Sequence, residues 1–186
     1  YATCQKYDLR LFIDGARLGY GLVSAACNYD LPFLAKHCDV FYIGGTKVGA
    51  MMGEAVVFSG MKAPKYFFTN VKRHGALLAK GRMLGIQFDT LFTDELYFKI
   101  SRHAIAMATR IRSIFEKHGI AIAYDSPTNQ QFVVLSPDLY EALSQKVAFE
   151  IWERKSEHEI ICRFVTSWAT KEEELDELDH ILQAYA

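Results

Sequence analysis

The stretch FIDGAR, Phe12 to Arg17, decides the fold when it is set beside a second stretch, YIGGTKVGA, Tyr42 to Ala50. Short apolar runs at 9–13 and 39–43 lead into these stretches, and a third run covers 54–58. Brief runs bounded by glycines are typical of strands buried on both faces of a parallel or mixed sheet. Helical patterns separate the first two runs, and this strand–helix–strand order favours a βαβ unit.

The chain changes character near residue 100, inside a long predicted helix. The helical pattern runs from about Asp94 to Lys117 with apolar residues on one face, and Gly119 closes it. A helix of that length suits a connection between two domains. We therefore predict one domain over 1–100 and a second over 101–186.

The second domain has the pattern of a small α+β domain. Short elements alternate there, with strands predicted at 120–124, 131–135, 147–152 and 159–165 and helices at 137–145 and 171–184. The last helix has Thr170 as its predicted N-cap and Glu173 three residues later, which is the pattern of a capping box.

Composition argues against several classes of function. The 186 residues are 51% hydrophobic and 23% charged, as in a soluble globular protein. Lys+Arg number 21 and Asp+Glu 22, and the net charge of -1 argues against nucleic acid or an anionic membrane as a partner. No apolar run reaches the roughly 18 residues of a membrane helix. The four cysteines form no CxxC pair, which predicts reduced thiols of an intracellular protein, and the scattered histidines predict no metal site.

Asp14 is the first candidate functional residue. It stands where a strand is predicted to end, and in open α/β sheets ligands collect outside the carboxyl ends of the strands. A carboxylate at the end of a buried strand is costly unless it has a cationic partner. One such cation is a protonated heteroaromatic nitrogen, such as the pyridinium of pyridoxal 5'-phosphate (PLP). The alternatives are a helix cap and a loop partner for Arg17.

Lys47 follows the second predicted strand and lies in a glycine-rich turn, Gly44 to Gly49. Small neighbours allow a ligand to approach the amine closely. A lysine in an apolar, partly buried turn has a lowered pKa and can form a Schiff base. A solvated loop lysine is the alternative. A phosphate-binding P-loop is excluded, because it needs glycine before the lysine and Ser or Thr after it, whereas Thr46 precedes Lys47 and Val48 follows.

Together, Asp14 and Lys47 point to one cofactor. Adjacent parallel strands bring their carboxyl ends to within about 5 Å. We therefore expect the two residues to flank one ring, with the carboxylate at the pyridinium nitrogen and the amine at the aldehyde carbon, which is what PLP chemistry requires of a protein. Tyr42 is expected to pack rather than to contact the ring.

At these residues the sequence resembles a known family. Asp-Gly-Ala-Arg in FIDGAR, followed by Thr-Lys in GGTKVGA, is similar to the low-specificity threonine aldolase group of the β-eliminating lyase superfamily, PLP enzymes of the aspartate-aminotransferase fold type. Gly81 to Gly85 (GRMLG) and Arg163 to Ser167 (RFVTS) resemble that group too. The resemblance implies an α/β fold, the C-terminal part of a PLP-binding large domain with a mostly parallel sheet, followed by a small α+β domain.

The resemblance also implies roles for four residues. Lys47 would be the catalytic lysine that forms the internal aldimine with PLP. Asp14 would bind the pyridine nitrogen, and Arg17 would lie near the phenolic oxygen of the cofactor. Arg163 would hold the α-carboxylate of the substrate, a bidentate role that suits arginine, and the alternative for Arg163 is a cross-strand ion pair.

The activity implied by the resemblance is that of a PLP-dependent aldehyde lyase acting on amino acids. L-Threonine would be cleaved to glycine and acetaldehyde by a retro-aldol step through an external aldimine. The protein would be cytoplasmic, and it would be a homo-oligomer or require an N-terminal half that this chain lacks. The alternatives are a non-catalytic fragment or split half of such an enzyme and a β-eliminating lyase with another amino acid substrate.

Overall fold

The computed structural model describes residues 1–185, and the chain divides into two compact units. The first unit comprises residues 1–22 and 27–99, and the second comprises residues 23–26 and the chain from residue 100 onward. Within the second unit, the Ser24 hydroxyl donates to the carbonyl oxygen of Pro127 at 2.8 Å. Each unit has a hydrophobic cluster of its own.

The first unit contains a mixed three-stranded sheet in the order β1-β2-β3. Its strands are β1 (Phe12–Ile13), β2 (Val40–Gly44) and β3 (Glu54–Phe58), and its helices are α1 (Ala2–Lys6), α2 (Leu18–Leu22), α3 (Leu31–Lys36), α4 (Phe67–Arg73) and α5 (Arg82–Phe92). β1 pairs parallel with β2, and β2 pairs antiparallel with β3. All three predicted strands are confirmed.

Apolar residues from α2, α3, β2 and the segment between α3 and β2 form the core of the first unit, namely Leu18, Leu34, Phe41 and Cys38. The expectation that the strands are buried on both faces is wrong for the described residues, since Phe12 is 58% and Val56 50% exposed. An apolar run shows that a strand has apolar side chains, but it does not show that both faces are covered.

A buried carboxylate fixes the start of β1. Asp39, which immediately precedes β2, accepts the N–H of Leu11 at 2.8 Å and forms an ion pair with Arg10 at 3.3 Å. These contacts join the two segments just before the parallel pairing of β1 with β2 begins. They therefore help to set the register that brings the ends of the two strands together.

The second unit is built on four antiparallel strands. They are β4 (Ile122–Tyr124), β5 (Gln130–Leu135), β6 (Glu150–Arg154) and β7 (Ile160–Val165), in the order β4-β5-β7-β6. Helix α6 (Leu96–Lys117) begins in the first unit and continues into the second. The second unit also contains α7 (Pro137–Ser144) and α8 (Glu172–Gln183). The predicted strands and helices of this part are confirmed, with boundaries shifted by a few residues.

The core of the second unit lies between the sheet and three helices. Alternate residues of β5 are buried, as expected for a strand with one covered face. Fully or nearly fully buried side chains from β5, α6, α7 and α8 meet there, namely Val133, Leu135, Phe115, Leu143 and Leu182.

The predicted capping box of α8 is wrong by one residue. The N-cap is Lys171, whose backbone N–H donates to Oε2 of Glu174 at 3.0 Å. The Thr170 hydroxyl instead accepts the N–H of Ser167 at 2.9 Å, so the preceding turn has already used the predicted cap. Sequence spacing alone does not distinguish these two uses of the threonine.

The four cysteines are unpaired, as predicted, and Cys38 and Cys162 are buried. Burial raises the pKa of the Cys162 thiol to about 11. Among residues 1–185, no helix is both long enough and apolar enough to cross a membrane.

Candidate active site

Asp14 and Lys47 follow neighbouring parallel strands at the same edge of the first sheet. Asp14 is the first residue after β1, and Lys47 lies in a short 3-10 turn, Thr46–Val48, just beyond β2. Because β1 and β2 are parallel neighbours, the prediction that these strand ends lie side by side is confirmed.

Glycines allow the two strand ends to pack backbone against backbone. The N–H of Gly44 donates to the carbonyl oxygen of Gly15 at 2.9 Å. A Cβ on Gly15 would lie 1.7 Å from the carbonyl oxygen of Tyr42, and one on Gly44 would lie 2.4 Å from that of Ala16. Both glycines are therefore required by the packing of the chain against itself, apart from any ligand.

One oxygen of the Asp14 carboxylate is held by the protein and the other is open. Oδ1 accepts hydrogen bonds from the Tyr42 hydroxyl and from the N–H of Ala16, the latter at 3.0 Å. Among residues 1–185, no group donates to Oδ2. An exposed carboxylate held in this way presents one fixed oxygen to an external donor.

Hydrogen bonds and nearby positive charges keep Asp14 ionised. The hydrogen bond from Tyr42 and that from Ala16 hold the pKa of Asp14 below its usual range. The positive charges of Lys47 and Arg17 act in the same direction. The bond to Asp14 raises the pKa of Tyr42 to about 12. At neutral pH the pair is therefore a carboxylate and a neutral phenol, and the carboxylate can neutralise a cationic nitrogen.

Arg17 lies on the same turn as Asp14 and is partly buried. Its Nε is buried, and no described residue accepts a hydrogen bond from it. A buried donor without an acceptor costs free energy, so the arrangement favours an external acceptor at this point.

The Lys47 side chain is exposed, so the expectation of a partly buried lysine is wrong for the described residues. The turn buries the neighbouring Val48 and leaves the lysine amine with no hydrogen bond or ion pair from residues 1–185.

The backbone around Lys47, in contrast, is firmly held. The hydroxyl of Tyr20 donates to the carbonyl oxygen of Lys47, and that of Tyr97 donates to the carbonyl oxygen of Gly44 at 3.0 Å. Both phenols are buried. No sequence pattern singles out either phenol, and Tyr42 was expected only to pack. These contacts join residues that are 27 to 53 positions apart in the chain, so no local signal marks them.

Arg163 lies on β7 in the second unit, opposite Glu150 of β6. Its Nη1 donates to Oε1 of Gln130 at 2.9 Å, and its Nη2 forms an ion pair with Glu150. The guanidinium carbon lies 5.3 Å from the centre of the Trp152 ring. The cross-strand ion pair that sequence analysis gave as the alternative is therefore present.

The contacts of Arg163 orient its guanidinium but leave one of its N–H groups without a hydrogen-bond acceptor. Its Nε is buried and has no acceptor among the described residues. The Arg163 side chain is 19% exposed and that of Glu150 66%, and an ion pair with so exposed a partner contributes at most about 1 kcal/mol. A ligand carboxylate can therefore compete with Glu150 at modest cost, which leaves the substrate role of Arg163 a prediction.

The chain is similar to threonine aldolases in sequence and in structure. No family model matches the chain. Low-specificity L-threonine aldolases of Pseudomonas sp. (strain NCIMB 10558) and Pseudomonas aeruginosa are 29% and 28% identical over 178 residues. The match covers 95% of this chain and 51% of each relative. A solved structure of Leishmania major threonine aldolase superposes with a TM-score of 0.94 at 36% identity. The predicted resemblance to threonine aldolases is confirmed.

The structural match to the Leishmania major threonine aldolase covers 99% of this chain and 54% of that structure. The chain thus spans about half the length of the threonine aldolases that it matches. A serine palmitoyltransferase from Sphingomonas wittichii superposes with a TM-score of 0.67 at 11% identity, a likeness that supports the fold alone. The predicted α/β fold class is confirmed by these matches.

Proposed function

We propose that this chain is part of a PLP-dependent aldehyde lyase of the threonine aldolase type, which cleaves β-hydroxy-α-amino acids such as L-threonine to glycine and an aldehyde. One observation carries the proposal. Asp14, Arg17 and Lys47 stand at the ends of two parallel strands in a chain that is similar to threonine aldolases.

The groups left open at these strand ends fit PLP. Lys47 would hold the cofactor covalently at its aldehyde carbon, and its amine has no competing partner among residues 1–185. Oδ2 of Asp14 would accept the pyridinium N–H, while the buried Nε of Arg17 would donate to the phenolic oxygen. When bound, PLP takes up the electron pair that remains on the substrate Cα after the Cα–Cβ bond breaks.

The residues of the chain would contribute charge and orientation. Ionised Asp14 stabilises a protonated pyridine nitrogen, and Tyr42 keeps Asp14 ionised by donating to its other oxygen. The guanidinium of Arg163, held by Gln130, would bind the substrate carboxylate.

Reductive trapping tests the cofactor assignment. The purified chain is mixed with PLP, reduced with borohydride, and the modified lysines are mapped by mass spectrometry. We expect selective labelling at Lys47, its loss in Lys47→Arg, and normal labelling of Lys47 in Lys62→Arg, which replaces another exposed lysine. Labelling spread evenly over the lysines would contradict the assignment.

A second candidate function is a non-catalytic part or split half of such an enzyme. The observation in its favour is that the chain spans about half of its curated relatives. An acetaldehyde-release assay with L-threonine separates the two candidates. Labelling at Lys47 without aldehyde release would favour the second, whereas release that Lys47→Arg abolishes would favour the first.

A further inference from the structure

Glu54, the first residue of β3, reaches across to the turn that carries Lys47. Its Oε2 accepts the N–H of Gly45 at 2.6 Å, and its Oε1 accepts the hydroxyl of Thr46 at 3.2 Å. The pairing of β2 with β3 places Glu54 opposite Gly44, so the carboxylate approaches the turn from the neighbouring strand.

We propose that Glu54 is a positioning residue: it holds Gly45 and Thr46 at the start of the turn that carries Lys47, and thereby fixes the point from which the Lys47 side chain extends. The value of this to the enzyme rests on the proposed function of Lys47. The contact itself does not depend on that function and can be tested separately.

The turn cannot hold the N–H of Gly45 by itself. Its own backbone bonds run to the carbonyl oxygen of Gly45, from Val48 at 2.9 Å and from Ala50 at 3.0 Å. Gly45 is buried, and a buried N–H without an acceptor is unfavourable. Glu54 supplies that acceptor, and a hydrogen bond to a carboxylate is stronger than one between neutral groups.

Three side chains hold the backbone around the turn through hydrogen bonds. The buried phenols of Tyr20 and Tyr97 bind the carbonyl oxygens of Lys47 and Gly44, respectively. Glu54 binds the N–H of Gly45. Since the Lys47 amine is exposed and has no partner among residues 1–185, the position of the amine depends on how well this backbone is held.

The first measurement is the rate of amide hydrogen exchange at Gly45, which NMR monitors in the 186-residue chain. In Glu54→Ala we expect exchange at Gly45 to be at least about tenfold faster, because a hydrogen bond to a charged group is lost. Glu54→Gln keeps an oxygen at the same place and should restore most of the protection. Glu153→Ala is the matched control, since it removes a strand glutamate that accepts a hydrogen bond from Tyr124 in the second unit.

The second measurement is reductive trapping of PLP in the same variants. We expect labelling at Lys47, relative to the other lysines, to fall about tenfold in Glu54→Ala and to recover in Glu54→Gln. If Glu54→Ala does not fold, Thr46→Val removes one of the two contacts of Glu54 and should give a smaller change in the same direction.

The outcomes separate the two proposals. Unchanged exchange at Gly45, or exchange that is faster by one factor throughout the first unit, overturns the role of Glu54. Equal labelling of Lys47 in the wild type and Glu54→Ala overturns it as well and leaves the proposed function standing. If the wild type is not labelled at Lys47, the proposed function fails, and exchange at Gly45 still decides whether Glu54 holds the turn.

Discussion

Asp14 owes its low pKa first to a neutral phenol, the hydroxyl of Tyr42, and only then to nearby cations. Tyr42→Phe removes that donor and keeps the ring beside Phe12, with which it is in contact. We expect the pKa of Asp14 to rise toward its ordinary value, as measured by a ¹³C NMR titration of the carboxyl group. Tyr124→Phe, which removes a phenol–carboxylate bond in the second unit, should leave it unchanged.

The sign of the pH effect follows from the direction of that pKa shift. A carboxyl whose pKa is lowered by folding stabilises the fold above its unfolded pKa, and the contribution is lost as the pH falls through the folded pKa. In Tyr42→Phe this loss should be complete at a higher pH than in the wild type. A pKa of Asp14 that does not move would contradict the assigned hydrogen bond.

The proposed role of Arg163 in binding the substrate carboxylate can be tested by measuring substrate binding and cofactor binding separately. Arg163→Ala should raise KM for the amino acid about tenfold or more, because hydrogen bonds to a charged group are lost, and it should leave PLP affinity nearly unchanged. Glu150→Gln is the control, since it removes the ion pair but keeps the guanidinium. A fall in PLP affinity in Arg163→Ala would show that the carboxylate assignment is wrong.

At the scale of a helix, α8 distinguishes two adjacent glutamates. Glu174 accepts the N–H of Lys171 at the helix start, whereas sequence spacing pointed to Glu173. Glu174→Ala should therefore lower the free energy of unfolding by about 0.5–1.5 kcal/mol, the net contribution of a typical hydrogen bond. Glu173→Ala should change it by less than about 0.5 kcal/mol. Urea titrations of both variants decide, and a larger loss in Glu173→Ala would restore the predicted box.

The elements show where sequence reasoning succeeds and where it stops. Strands β1, β2 and β3 were predictable because their short apolar runs, rich in β-branched and aromatic residues and flanked by glycines, are typical of buried strands. Helices α1 and α5 were not predicted. α5 contains Gly85, and a helix-interior glycine costs about 1 kcal/mol relative to alanine, so packing of residues such as the buried Leu91 must offset a local preference against the helix.

Some features of the candidate site could be predicted from the sequence and others could not. The placement of Asp14 and Lys47 after neighbouring strand ends was predictable, because each residue follows a recognisable strand and parallel strands align their ends. The contacts that Tyr20, Tyr97 and Glu54 make with the backbone from Gly44 to Lys47 were not predictable. They depend on which side chains the fold brings to that segment. The exposure of Lys47 also depends on what surrounds the turn, which the local sequence does not specify.

At the scale of the whole molecule, we propose that the chain self-associates. Large apolar side chains of the first unit are exposed in the described part of the chain, among them Phe12, Met51, Met52, Val56 and Phe68. Large apolar side chains mark an interaction site where they form one contiguous exposed patch. Light scattering should give a mass above the 21.2 kDa of one chain. Met51→Lys, at a position 87% exposed, should lower that mass without unfolding the protein, and a wild-type mass of one chain would contradict the proposal.

The reaction rates of the two buried cysteines with a thiol reagent report how often each unit opens. Cys38 belongs to the first unit and Cys162 to the second, and both are inaccessible in the folded chain. A thiol reagent can modify them only after local opening, whereas Cys4 and Cys27 are partly exposed and react without it. Mapping the rate at each position would therefore measure the opening of both units in one sample of unmodified protein, with no introduced probe.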